Sequence, residues 1–143
     1  MKVFLAFCFL ALGALSLTAA EPAGWTTDYK AALEQSKADG RKVFLFFTGS
    51  DWCSWCKRLN REILSTADFK KFAGGKLILV ELDFPRAKGQ PAALKSQNAK
   101  LAQQFKIEGY PTVVVLDSSG KKIGELGYQE GGPGPFIEAI SKM

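Results

Sequence analysis

Two cysteines three positions apart carry the clearest chemical signal in this sequence. The segment Cys53-Ser54-Trp55-Cys56 follows a strongly apolar run and opens a helical pattern. Residues i and i+3 lie on one face of a helix, so the two sulfur atoms can reach bonding distance. Cys53 would lie at the helix N-terminus, where free N–H groups and the helix dipole favour a thiolate, the attacking species in disulfide exchange. Cys56, one turn deeper, can then resolve a mixed disulfide by attacking Cys53.

Other uses of a Cys-x-x-Cys pair lack the partners they need. The chain has three cysteines and no histidine. A zinc site with four ligands would require carboxylates or a second chain, and an iron–sulfur cluster lacks ligands. A haem attachment motif needs His after the second Cys, where Lys57 stands. A structural disulfide stays open as an alternative, although so short a loop gives little stabilisation in the entropic description. We expect no metal and no diffusible cofactor.

Composition bounds the remaining classes of protein. The chain has 143 residues, of which 47% are hydrophobic and 23% charged, so it suits one globular domain. The formal net charge is +5, but the basic residues form no long run, and we expect no nucleic acid partner. The absence of histidine also excludes Ser-His-Asp and Cys-His catalysis.

The pattern of residues 1–20 is typical of a signal peptide. One lysine precedes an apolar run that is short for a membrane span, and the small residues Thr18 and Ala20 fit a signal-peptidase site. We predict cleavage near Ala20, loss of Cys8 with the signal, and a single domain over residues 21–143. The protein would then be exported to a periplasmic or extracellular compartment where disulfides persist. An uncleaved N-terminal anchor is the alternative.

The rest of the chain predicts alternating helices and strands that position the cysteine pair. Gly40 should end a first helix that is capped near Asp28 and runs to about Asp39. Continuous apolar runs indicate strands covered on both faces. Helices joining the strands predict parallel pairing, and a final tight turn predicts one antiparallel edge. The expected later elements are strand 43–47, a helix from near Cys53, a Thr66-capped helix through Phe72, strand 77–82, helix 94–105, strands 112–116 and 122–127, and helix 136–142.

Two segments together identify a family resemblance. The stretch from Phe47 to Lys57, with its core Trp52-Cys53-Ser54-Trp55-Cys56-Lys57, resembles the active-site segment of the thioredoxin superfamily. Gly109-Tyr110-Pro111-Thr112 resembles the cis-proline segment of that superfamily. The resemblance covers about residues 25–142 and is greatest to small exported bacterial thioredoxin-like proteins. It implies an α/β thioredoxin fold with a central mixed four-stranded sheet flanked by helices.

The resemblance also implies roles for individual residues. Cys53 would be the nucleophile and Cys56 the resolving thiol of a redox-active disulfide. Pro111 would be cis and pack against the sulfurs, while the backbone of Tyr110 would pair with an extended substrate. The expected substrate-binding residues are Trp52, Trp55, Tyr110 and Pro111. A trans proline starting an edge strand, and plain packing of the tryptophans, are the alternatives.

The chain departs from the family pattern at several positions. Ser54 and Trp55 stand where thioredoxin has Gly-Pro, a pair that tunes the redox potential. Matching strand to strand places Phe46 where thioredoxin has a buried Asp, and Glu81 on the adjacent strand is the candidate proton acceptor for Cys56. No clear counterpart of the family's first strand precedes Asp28.

Sheet topology predicts that the loop 84–93 lies on the face of the cysteine pair. Parallel strands end on the same side of a sheet, and this loop follows the second of the two parallel strands. The loop carries Arg86 and Lys88. We predict that it helps to select the protein partner.

These observations predict an exported thiol–disulfide oxidoreductase that acts on protein thiols or disulfides, with the reductive direction favoured. We expect a monomer, with a membrane-bound electron donor as a candidate partner. A binding or chaperone module with a structural disulfide is one alternative, and an oxidase or isomerase of the same fold is another.

Overall fold

The computed structural model describes residues 24–143. The predicted signal peptide, its cleavage near Ala20 and the cysteine at position 8 lie outside the described residues. Within the described part, no helix is long and apolar enough to cross a membrane.

A five-stranded mixed sheet forms the centre of the domain. The strands follow the order β1-β3-β2-β4-β5 across the sheet. β2 runs parallel to β3 and antiparallel to β4, and β5 is the antiparallel edge. The strands are β1 (Trp25–Thr26), β2 (Lys42–Thr48), β3 (Leu77–Asp83), β4 (Thr112–Leu116) and β5 (Lys122–Leu126).

Helices cover both faces of this sheet. They are α1 (Tyr29–Asp39), α2 (Ser54–Leu59), α3 (Ala67–Ala73), α4 (Ala92–Gln104) and α5 (Pro133–Ser141). Alternate residues of β2 point to opposite faces. Phe44 and Phe46 pack with residues of α3 and α5, whereas Leu45 and Phe47 pack with residues of α1 and α4. The apolar strand runs are therefore buried on both sides, as the sequence predicts.

Side chains at the helix ends fix several of these boundaries. Asp28 caps α1 by accepting a hydrogen bond from the N–H of Ala31 at 2.9 Å. Gly40 ends α1 with φ of 78°, a left-handed conformation that favours glycine. The side chain of Thr66 caps α3. The capping predictions for all three residues are confirmed.

The prediction of four strands and of no strand before Asp28 was wrong. Trp25 and Thr26 form β1, which pairs with Leu79 and Val80 of β3. Two residues are too few to show the alternation that identifies a strand from sequence. The thioredoxin fold itself holds, with one more strand at the sheet edge.

The expectation of parallel pairing for every strand that follows a helix was also wrong for β4. Thr112 pairs with Phe47 and Leu116 pairs with Val43, so β4 starts where β2 ends. Two strands are parallel when the connection between them, usually a helix, carries the chain back to the end of the sheet at which the first strand began. β2 lies between β3 and β4, and the connection after β3 leads into β4 at the same end of the strands at which β3 finishes. β4 therefore runs antiparallel to both.

A single π-helical turn, Asn60–Leu64, follows α2. The N–H of Ser65 donates to the carbonyl oxygen of Asn60 at 2.8 Å, five residues back. Such turns hold one residue more than an α-helical turn and are frequent near functional sites. Here the turn separates the cysteine-bearing helix from α3.

Candidate active site

The cysteine pair lies at the junction of β2 and α2. Cys53 and Cys56 form a disulfide, with their Cα atoms 5.2 Å apart. Cys53 is the N-cap of α2, and its Sγ accepts a hydrogen bond from the N–H of Cys56 at 3.2 Å. The N–H of Gly49 lies 3.5 Å from Sγ of Cys56. Backbone donors therefore face both sulfurs, an arrangement that would stabilise a thiolate after reduction.

The two sulfurs differ little in burial. Cys53 is 6% exposed and Cys56 is 1% exposed. Cys53 is thus the more exposed of the two cysteines. Attack on the outer sulfur, followed by resolution from the inner one, is the order that this burial favours.

Trp52 is fixed against the turn before the cysteines. Its Nε1 donates to the carbonyl oxygen of Phe84 at 2.7 Å, and its ring meets the ring of Tyr110 edge-on at 5.8 Å. A Cβ atom at position 49 would collide with the Trp52 indole, so Gly49 makes this close approach available. Trp52 is thus both a packed residue and part of the wall beside Cys53.

The segment that precedes β4 reaches the same end of the sheet. The Tyr110–Pro111 peptide bond is cis. Thr112 pairs with Phe47 of β2, one residue before the end of that strand. The ring of Tyr110 lies 5.2 Å from that of Phe84 and, through it, joins the aromatic residues that support the loop after β3. The structure therefore brings the predicted residues Trp52, Tyr110 and Pro111 to the end of the sheet that carries Cys53.

Trp55 stands out from this surface. It is 51% exposed and is the one large apolar side chain classed as exposed among residues 24–143. Its ring lies 5.3 Å from that of Tyr128, and the Arg58 guanidinium lies 5.4 Å from the Trp55 ring and 5.0 Å from the Tyr128 ring. The exposed indole is therefore supported from one side by an aromatic ring and a cation.

Glu62 ties these supporting side chains together. It accepts hydrogen bonds from the Tyr128 hydroxyl at 2.5 Å and from Nε of Arg58 at 2.9 Å. The Tyr128 hydrogen bond, followed by that of Arg58, holds the pKa of Glu62 below its usual range. The carboxylate stays ionised and keeps the guanidinium in place.

The loop between β3 and α4 lies directly beside the cysteine turn. The carboxylate of Asp51 accepts hydrogen bonds from three successive backbone N–H groups, those of Arg86 at 3.0 Å, Ala87 at 2.7 Å and Lys88 at 3.1 Å. These bonds, that of Arg86 foremost, lower the pKa of Asp51. The predicted position of the loop on the cysteine face is confirmed.

A second carboxylate fixes the base of the same loop. Asp83 accepts from the N–H of Ser50 at 2.9 Å and from its hydroxyl at 2.5 Å, and it pairs with Nζ of Lys88 at 3.1 Å. Arg86 makes no such pair with any of the residues 24–143; its guanidinium carbon lies 3.6 Å from the centroid of the Trp52 ring. The loop is thus held at two points, and the guanidinium of Arg86 lies over the ring of the tryptophan that precedes Cys53.

Glu81 and Cys56 line one cavity beneath the disulfide. The cavity has a volume of about 350 Å³, and Lys57 and Lys70 also line it. Glu81 pairs in register with Phe46, so its carboxyl occupies the strand next to the expected position of the thioredoxin Asp. Burial, followed by repulsion from Asp83, raises the pKa of Glu81. A carboxyl whose pKa is raised towards that of a thiol is better matched to exchange a proton with it.

Sequence reasoning missed part of this site. The support of Trp55 by Arg58 and Tyr128 joins residues 73 positions apart at most, and no local pattern signals it. The capping of the loop by Asp51 was equally hidden, although an Asp just before a helix is a frequent partner of backbone N–H groups. Within residues 24–143, no three potential ligands from His, Cys, Asp and Glu come together in a metal-like cluster.

Comparisons with known proteins agree with this geometry. The family described as the thioredoxin-like domain matches residues 29–133. The disulfide bond reductase DsbH of Chlamydia pneumoniae is 41% identical over 112 residues, which cover 78% of this chain and 68% of that protein. The thioredoxin-related protein DsbJ of the same organism is 31% identical over 72% of this chain, although the match spans 30% of DsbJ. A solved structure of the DsbH oxidoreductase superposes with a TM-score of 0.80 and 37% identity, covering 94% of this chain and 93% of the other.

Proposed function

The chain belongs to the thioredoxin-like family and is a protein-disulfide oxidoreductase, and from this premise we propose that it is exported and reduces disulfide bonds in other exported proteins. The observation that carries the proposal is the Cys53–Cys56 disulfide at the start of α2, with backbone N–H groups directed at both sulfurs. The reductive direction is supported by the 41% identity to a protein named as a disulfide bond reductase.

The proposed reaction transfers two electrons to the substrate. The Cys53 thiolate attacks one sulfur of a substrate disulfide, and the other substrate sulfur leaves as a thiolate. Cys56 loses its proton and attacks Sγ of Cys53, which breaks the mixed disulfide and releases the second substrate thiolate. The two substrate thiolates take up protons, and the enzyme is left with the Cys53–Cys56 disulfide. A membrane-bound donor would return the electrons.

Glu81 is proposed to accept the proton of Cys56. The two side chains line the same cavity, and burial raises the pKa of the carboxyl, which brings it closer to that of a thiol. The cavity, of about 350 Å³, is large enough to hold water through which a proton could pass between the two groups. Glu34, exposed on α1, provides a matched control for the Glu→Gln substitution.

Four residues are proposed to receive the substrate. Tyr110 and Pro111 would present backbone groups to an extended chain, while Trp52 and Trp55 would provide apolar surface on either side of Cys53. The indole of Trp55 is half-exposed and contacts Arg58. Its exposure favours this role, because large exposed apolar side chains are characteristic of interaction sites.

Export is supported by the signal-peptide pattern of residues 1–20. It is also supported by the Cys53–Cys56 disulfide, because disulfides persist in oxidising compartments. Residues 21–143 would form the mature thioredoxin-like domain after cleavage near Ala20. We expect this domain to act as a monomer in the periplasmic or extracellular space.

One set of experiments on the protein expressed from its full chain tests these points. The intact mass of the exported protein reports whether residues 1–20, and Cys8 with them, have been removed. Equilibration in graded thiol–disulfide buffers, read by alkylation mass, gives the redox midpoint. A midpoint below that of the glutathione pool, together with rapid reduction of a protein disulfide, is expected. A midpoint well above that pool would instead indicate an oxidase or isomerase.

Cysteine variants identify the attacking sulfur. Cys56→Ser should accumulate a mixed disulfide with a protein substrate, because the resolving thiol is missing, whereas the matched Cys53→Ser variant should not. If neither variant traps a substrate while substrate binding persists, the chain is a binding module with a structural disulfide. Glu81→Gln should slow release of the mixed disulfide more than its formation, and Glu34→Gln should change neither.

A further inference from the structure

We propose that Arg86 binds an acidic side chain of the substrate, near the substrate cysteine that is attacked by Cys53. This inference rests on the proposed function and adds to it the chemistry by which a substrate is selected. It depends on the position of Arg86, on the absence of a partner for its charge, and on the rigidity of the loop that carries it.

The position follows from three contacts. Trp52 immediately precedes Cys53 in the chain, and its ring meets that of Tyr110. The guanidinium carbon of Arg86 lies 3.6 Å from the centroid of the same Trp52 ring. A substrate segment that enters between Tyr110 and Cys53 therefore passes Trp52 and the cation stacked on it.

The charge of Arg86 is not neutralised by the residues around it. Lys88 pairs with Asp83 and Arg58 pairs with Glu62, but Arg86 has no ion pair with any carboxylate in residues 24–143. The carboxylate of Asp51 binds the same loop, but it accepts hydrogen bonds from backbone N–H groups. The positive charge therefore faces solvent beside the site and can attract an anion.

Stacking orients the guanidinium for recognition of a carboxylate. Its central carbon lies 3.6 Å from the centroid of the Trp52 ring, and Arg86 is an exposed residue, so N–H donors remain available to a ligand. A planar fork of donors matches the two oxygens of a carboxylate. Glutamate or aspartate in a substrate peptide supplies that group.

Preorganisation of the loop makes the site specific. Asp51 binds main-chain N–H groups at positions 86, 87 and 88, and Asp83 holds Lys88. Because the bond at position 86 involves the backbone, a changed side chain there leaves the loop attached. Substitutions of Arg86 therefore test its charge and not the loop.

The test measures the reduced protein against peptides that each carry one cysteine, linked through a disulfide to a neutral pyridinethiol. Attack of Cys53 on the peptide sulfur releases the pyridinethiol, which is followed by absorbance, and Cys56 then releases the peptide thiol. One peptide has glutamates next to its cysteine, a second has glutamines there, a third has lysines there, and a fourth carries the same glutamates at its far end.

The wild-type protein should react about threefold faster with the adjacent-glutamate peptide than with the glutamine peptide at low ionic strength, the effect of one exposed ion pair. The preference should vanish in high salt. It should be absent for the far-end peptide and in Arg86→Gln, and Arg86→Glu should prefer the lysine peptide.

Lys121→Glu is the matched control. Lys121 is exposed next to the turn between β4 and β5, at the opposite end of the sheet from Cys53, and the substitution changes the net charge by the same amount as Arg86→Glu. It should keep the wild-type preference. An unchanged preference in Arg86→Gln, or an equal shift in Lys121→Glu, would overturn the proposal in favour of overall charge. Reaction with neutral dithiodipyridine separates the two levels of inference: a wild-type protein inert towards it refutes the oxidoreductase chemistry itself.

Discussion

Replacing Trp55 with alanine should weaken the reduction of protein disulfides and leave the sulfur chemistry in place. Large aromatic side chains bury about 150–250 Å², and Trp55 is 51% exposed, so roughly 100 Å² of its surface remains available to a substrate. At about 25 cal/mol per Å² this surface contributes at most about 2.5 kcal/mol to the bound transition state. That free energy corresponds to a decrease in kcat/KM of up to about 70-fold.

The assay compares two substrates of the same variant. The rate with a folded protein disulfide should fall by roughly ten- to seventy-fold in Trp55→Ala, and the rate with neutral dithiodipyridine should change by less than about twofold because the small molecule covers little of the indole. Trp55→Phe retains a ring against Tyr128 and should lie between the two proteins. The free energy of unfolding should fall by no more than about 1 kcal/mol, the value of an exposed cation–π contact such as that with Arg58.

Either of two results would refute this reasoning. An equal loss with both substrates would mean that Trp55 acts on the sulfurs themselves, through the redox potential or the pKa of Cys53. No loss with either substrate would mean that substrates do not cover the indole.

Three further predictions concern the stability of the fold. Burial raises the pKa of Glu81 above its usual value of 4.5, so the stability associated with its protonated form is complete below pH 4.5 and is lost as the pH rises through the raised pKa. Urea unfolding should therefore show that Glu81→Gln stabilises the protein at high pH and has little effect at pH 4. An equal gain at both pH values would contradict this. Phe44→Ala should reduce the free energy of unfolding by about 3–5 kcal/mol, because the ring is fully buried between Trp25, Phe69 and Phe136; a loss under about 1 kcal/mol would show that the site collapses around the gap. Asp28→Ala should cost about 1 kcal/mol by removing the cap of α1, and Asp28→Asn should recover most of it, so equal losses would show that the cap bond contributes little.

The parts of the fold with a strong local signal could be predicted from the sequence. The continuous apolar runs of β2 and β3 predict strands that are buried on both faces. Asp28, Gly40 and Thr66 mark helix ends through their own side chains or backbone. The cysteine and proline segments are informative because each occupies a position that few other residue types could fill. These features depend on neighbours in the chain, which is why a single sequence carries them.

The rest depends on neighbours in space. The direction of β4 is set by which strand it joins, and the length of the connection after β3 does not determine that. β1 exists because β3 leaves an unpaired edge beside Trp25 and Thr26. Tyr128 reaches Trp55 only after β4 and β5 have returned the chain to the cysteine end of the sheet. The cavity shared by Glu81 and Cys56 was within reach of prediction, since adjacent strands were expected to place the carboxyl near the pair.

The π-helical turn at Asn60–Leu64 uncouples the orientation of α3 from the number of residues in α2, which a continuous helix would link. In a continuous helix, adding or removing one residue rotates everything beyond it by about 100°. Here the wide turn and the new cap at Thr66 start α3 afresh, so the direction of α3 does not depend on the rotational phase of α2. We therefore expect a one-residue insertion or deletion at the exposed Ser65, between the π-helical turn and the Thr66 cap, to leave the orientation of Cys53 and Cys56 unchanged. The length of the segment between α2 and α3 can therefore change without altering the geometry of the cysteine pair.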